Sequence, residues 1–130
     1  MKRIALLALC VLFLLPACKS SFNTAEIETI DQRSFGVSLT KEQAAKAITQ
    51  AGSRLGWQIR QVSTGLLEGT LRNRQHLVVV DIPYTAKEYS IKYKSSSDNM
   101  YSEDGKIHKS YNRWVRNLEK EIGIAAQMLK

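Results

Sequence analysis

Histidine, cysteine and proline are almost absent from this chain: its 130 residues contain two of each. A structural zinc site generally takes four Cys, His or carboxylate ligands, and a catalytic one takes three with an open position. No such set is visible around His76 or His108. Serine is plentiful, but there is no Gly-x-Ser-x-Gly elbow and no Ser-x-x-Lys with its partner motifs, so a hydrolase would need a constellation assembled wholly in space. Asp98, Glu103 and Asp104 do not follow the spacing of an EF-hand loop and read as solvated loop. No enzyme, metal or cofactor is therefore expected. A long apolar run is lacking too. Residues 4–15 would span about 18 Å as a helix, short of the ~30 Å hydrocarbon core of a bilayer, which argues against a permanent transmembrane helix.

What the N-terminus does carry is the layout of an export signal: Lys2 and Arg3, the apolar run at 4–15, and the small residue Ala17 before Cys18. Leu15, Pro16, Ala17 and Cys18 resemble the lipobox of bacterial lipoproteins, with Pro16 an uncommon occupant of its place. The resemblance implies cleavage in front of Cys18, diacylglycerol on its sulfur and fatty acylation such as palmitate. Residues 1–17 are then signal peptide. Cys10 is discarded with it, the mature protein has no free thiol or internal disulfide, and stability must come from a packed core. About 110 residues can bury roughly two thirds of the unfolded chain's surface, enough for one domain.

The formal net charge is +7. Removing Lys2 and Arg3 from the 19 basic residues leaves 17 against 12 acidic, a balance of +5. For an exported protein this favours anionic lipid headgroups or glycolipid over nucleic acid, or serves solubility alone.

Residues 18–33 are polar without clean periodicity and read as lipidated cysteine plus flexible tether, with Phe22, Ile27 and Ile30 able to dock its end; fully extended, such a stretch reaches about 50 Å. A single domain is expected over 34–130. Phe35, Val37 and Leu39 alternate as a short strand. Thr40 and Gln43 form a capping box for a helix with Ala44, Ile48, Ala51 and Leu55 on one face, ended by Gly56. From Trp57 the period becomes 2, and short turns near 63–65, 73–75 and 85–87 separate four strands, an antiparallel meander. Residues 95–106 are loop by composition, and a last helix should run from about Ile107 toward the C-terminal region, with Tyr111, Trp114, Leu118 and Ile122 on its stripe and Gly123 ending or fraying it, so that 124–130 are a weaker extension. The fold expected is α+β: a two-layer sandwich with two helices on one sheet face.

Two surfaces are candidates for binding. By alternation the open sheet face shows Gln58, Arg60, Glu68, Thr70, Arg72, Leu77, Val79, Asp81, Ser90, Lys92 and Lys94, with cations around the apolar Leu77 and Val79. It is either a docking face for an acidic protein or anionic glycolipid, or a solvated face. The second surface lies in residues 107–114, where His108 and Asn112 share one side of the helix and either meet a ligand or fix the backbone of the 95–106 loop.

That last stretch, after a strand-rich half, looks like the small uncharacterised periplasmic lipoproteins of Gram-negative bacteria, with a looser likeness of layout to accessory lipoproteins of the outer-membrane β-barrel assembly machinery. Lys19 after the cysteine implies, by the sorting rule of enteric lipoproteins, passage to the outer membrane. The role expected is a lipid-anchored, non-catalytic periplasmic interaction module whose partner is an envelope protein or anionic glycolipid. The alternative is a small-ligand or glycolipid binder using the loop 95–106 and the start of the last helix, and an enzyme of unrecognised type comes third. Cys18→Ser should release a folded domain from the membrane, as cell fractionation followed by circular dichroism would show; a released but unfolded protein would mean that anchor and fold are not separable.

Overall fold

The computed structural model describes residues 23–102 and 104–130; Cys18 and the signal segment lie outside them. The described chain forms β1 (Thr24–Ala25), β2 (Ile30–Ser34), α1 (Lys41–Arg54), β3 (Gln58–Ser63), β4 (Leu66–Asn73), β5 (His76–Pro83), β6 (Glu88–Ser96), β7 (Ile107–His108) and α2 (Ser110–Leu129). β3 to β6 form the antiparallel meander, β2 adds to its β6 edge, and the sheet order is β2-β6-β5-β4-β3. β1 and β7 pair separately. The two helices pack on each other and on one sheet face, giving the two-layer α+β sandwich.

Each layer follows from local chemistry. Thr40 accepts from the Gln43 amide at 3.1 Å while the Gln43 side chain accepts from the Thr40 amide at 2.9 Å, closing the capping box at the start of α1. Ala44, Ala47, Ile48, Ala51 and Gly52 form its buried face. Gly52 is there for room: a Cβ at that position would sit 2.5 Å from Cγ1 of Ile59, so α1 could not close onto β3. Leu67, Leu71, Val78, Val80, Ile82, Tyr89 and Ile91 supply the inner sheet face, and α2 covers it with Tyr111, Val115, Leu118, Ile122, Ala125 and Ala126. All belong to one core cluster. Burying each large side chain contributes about 1.5–3 kcal/mol, which makes this cluster the main source of stability.

Five boundaries differ from the sequence reading, the simplest being that β6 runs to Ser96, paired with Val78, so the loop expected over 95–106 begins at 97. The strand expected over 34–39 lies earlier, at β2, and shares only Ser34 with it; Gly36 turns the chain with φ +76°, and Phe35 is buried beside the Tyr89 ring instead of pairing as a strand. Residues 24–33, expected in the tether, belong to the domain, for Ile30 is in the core and β1 and β2 are both paired. β2 holds its place through a bulge at which Gln32 takes φ +46° and donates its amide to Ser90 Oγ at 3.0 Å. Ile107 and His108 are strand, so the last helix starts at Ser110. That helix passes through Gly123 to Leu129, because Ala125 and Ala126 are buried and the Leu129 carbonyl accepts from the Gln43 side chain at 2.9 Å. Packing here outweighs the roughly 1 kcal/mol helix cost of a glycine.

Candidate functional site

The antiparallel register lines the open sheet face in rows. One row crosses four strands as Arg60, Glu68, Asp81 and Lys92, the next as Gln58, Thr70, Val79 and Ser95, and a third pairs Arg72 with Leu77. Two carboxylates directly opposite each other, Glu68 and Asp81, would repel. A bulge solves this: Val80 faces Tyr93 and Val79 faces Ser95, which leaves Lys94 as the extra residue of β6. Its ammonium reaches Glu68 at 2.6 Å and Asp81 at 3.8 Å, and Arg60 reaches Glu68 at 2.9 Å. The hydrogen bonds from Lys94 and then Arg60 hold the Glu68 carboxyl below its ordinary range, while the Lys94 ammonium is held above its own, first by Glu68.

Arg60 and Lys94 are therefore spent on the face's own carboxylates. Arg72 and Lys92 are exposed and make no ion pair among the described residues, and Leu77 and Val79 are half-buried. Among the described residues this face thus leaves a small apolar centre with two cations outside its ion pairs. The expected four-cation surface is reduced to that.

At the second candidate surface the two residues part. Asn112 is buried, but it does not fix the 95–106 loop: its Nδ2 donates to the Glu26 carbonyl at 2.8 Å and its Oδ1 accepts from the Glu28 amide at 3.0 Å. It thus clasps the N-terminal segment onto α2. Arg116 to Glu28 at 2.7 Å and Arg33 to Glu119 at 2.9 Å brace the same contact. The loop is stitched instead by its own backbone and polar side chains, with the His108 amide donating to Met100 O at 2.7 Å, Asn99 Nδ2 donating to Gln75 O, and Met100 itself buried.

His108 meets the chain's other histidine. The rings of His76 and His108 lie 5.6 Å apart, tilted by 33°. Nδ1 of His108 accepts from the Ser110 amide at 3.1 Å, whereas Nδ1 of His76 is buried without a hydrogen-bond partner among the described residues. Sequence reasoning missed the pairing, since 32 positions separate the two, His76 opening β5 and His108 closing β7. Burial, then His76, Lys109 and Arg113, push the His108 pKa down. Two imidazoles fall short of the ligand count for a zinc centre. Among the described residues no group of three or more His, Cys, Asp or Glu could hold a metal ion, and no helix is long and apolar enough to cross a membrane.

The chain matches no known family profile, no curated protein and no solved structure.

Two predictions test this part of the molecule. Asn112→Ala strands the Glu28 amide and Glu26 carbonyl, so urea unfolding should show a loss of about 1–3 kcal/mol, with faster hydrogen exchange at the Glu28 amide. Because the folded state disfavours protonated His108, stability should be complete above an ordinary histidine's titration, about pH 6.5, and fall as pH drops through the lower folded value. Urea midpoints at about pH 7.5 and about pH 5 should therefore differ, and differ less in His108→Gln.

Proposed function

We propose that this protein is a lipid-anchored, non-catalytic interaction module of the bacterial envelope, facing the periplasm from the outer membrane and binding a protein partner through the open face of its sheet. The anchor rests on Leu15, Ala17 and Cys18 following a basic and then an apolar segment, and the membrane on Lys19. The observation that carries the docking face is that both helices lie on one side of the five-stranded sheet, leaving Leu77 and Val79 half-exposed on the other between Arg72 and Lys92. Apolar residues at the centre of a patch with cations at its rim suit a partner that offers a small apolar contact edged by carboxylates. Binding is favoured over catalysis because Asn112 is occupied by the N-terminal backbone, Nδ1 of His108 by Ser110, and Glu68 by Lys94 and Arg60, while the unpartnered Nδ1 of His76 is buried away from solvent.

The test is crosslinking in intact envelopes with Arg72→Glu combined with Lys92→Glu. Both side chains are exposed and without ion pairs among the described residues, so the fold should be kept while the crosslinked partner is lost. An unchanged crosslink would place the docking surface elsewhere.

A further inference from the structure

The two ends of the domain differ in where the chain enters. At one end lie the β4–β5 turn, the 97–106 loop and the start of α2, joined by Asn99 Nδ2 donating to Gln75 O at 3.3 Å and by the His76–His108 ring contact. At the other lie the β3–β4 and β5–β6 turns, joined by the Tyr84 amide and Gly65 O at 2.9 Å. The eight residues of β5 hold these ends about 25 Å apart. The chain enters at the first end, where the Lys109 amide donates to Asn23 O at 2.8 Å and β1 pairs with β7.

This changes the reach of the anchor. Five residue steps separate Cys18 from Asn23, and whatever their conformation they span at most about 18 Å. That is less than the distance between the two ends, so the domain cannot turn over beneath its anchor.

Charge does not compete with this constraint. Arg74, Lys106, Lys109 and Arg113 at the entry end are matched by Glu26, Asp98 and Asp104, with Glu103 adjoining them in sequence. Four cations against four carboxylates at this end, with Lys19 of the tether added, leave a balance of only +1 and little net attraction to an anionic surface, and exposed charges are further screened by salt. Resting on the proposed lipidation of Cys18, we infer that the short tether holds the domain against the phospholipid headgroups by the end bearing Lys109, the β4–β5 turn and the 97–106 loop, without preference for headgroup charge. The sheet then stands edge-on to the bilayer, with its open face directed sideways along the membrane surface.

With Cys10 removed in the signal peptide and diacylglycerol in thioether linkage on the Cys18 sulfur, the mature chain has no thiol, so single cysteines can be labelled cleanly. The full chain carrying Lys109→Cys or Ser63→Cys, with Cys18 lipidation verified by mass spectrometry, is placed in vesicles containing a headgroup-nitroxide lipid and labelled with a thiol fluorophore. Ser63 closes β3 at the opposite end, and both side chains are exposed. The label at Lys109 should be quenched several-fold more than that at Ser63, equally in phosphatidylcholine and in phosphatidylglycerol-containing vesicles. Inserting about 20 Gly/Ser residues after Ser20, which adds roughly 25 Å of coil, should abolish the difference. Equal quenching in the uninserted protein, or a difference that needs phosphatidylglycerol, would overturn the inference while leaving lipidation intact. A Cys18 without lipid would overturn both.

Discussion

The side chain of Asn112 does for the N-terminal segment what a neighbouring strand would do, offering one donor and one acceptor to the backbone at Glu26 and Glu28. A segment that enters the domain across a helix has no ladder to satisfy its amides, and a buried unpaired backbone group costs as much as a lost hydrogen bond. The amide of asparagine carries both functions on one planar group, which aspartate or leucine at this place would not. With that clasp closed, β1 can pair with β7, Ile30 reaches the core, and β2 completes the sheet edge. The entry point of the chain, and with it the reach of any N-terminal anchor, depends on the clasp.

The open sheet face shows a second local solution to a global constraint. Antiparallel register sets Glu68 opposite Asp81, an arrangement that alternation alone would leave repulsive. One extra residue in β6 delivers Lys94 to both carboxylates. The charge there is best understood as internal compensation, which concentrates whatever binding capacity the face has near Leu77, Val79, Arg72 and Lys92. Exposed ion pairs of this kind contribute little to stability, so the network's effect is on which charges remain free.

Interior asymmetry accounts for the remaining architecture. α1 is built from small residues so that it can approach β3, with Gly52 against Ile59, while α2 brings the bulk: Tyr111, Leu118 and Ile122. Tyr111 is fully buried with its hydroxyl unpartnered among the described residues, its ring edge-on to Tyr93 at 5.7 Å. The aromatic packing there outweighs the desolvated hydroxyl, and the same burial pushes the Tyr111 pKa far up.

Features that depend on neighbours a few residues apart were legible from the chain: the Thr40 to Gln43 capping box, the 3.6-residue stripe of α1, the period of 2 from Ile59 to Tyr93 and hence the α+β sandwich, and which side chains share each sheet face. These follow from backbone periodicity, which is local. The partners of short polar segments were not legible, because they are chosen by residues 58 to 86 positions away, as in Gln32 to Ser90 and Glu26 to Asn112. Nothing in residues 24–33 alone distinguishes a docked strand from a tether, and nothing around Gly123 alone says that a helix continues. Sequence by itself determined the layers and the outward and inward faces; only the tertiary structure decided where the domain begins, which cations stay free and that the two histidines meet, since each of these is fixed by long-range packing and hydrogen bonding that no local pattern encodes.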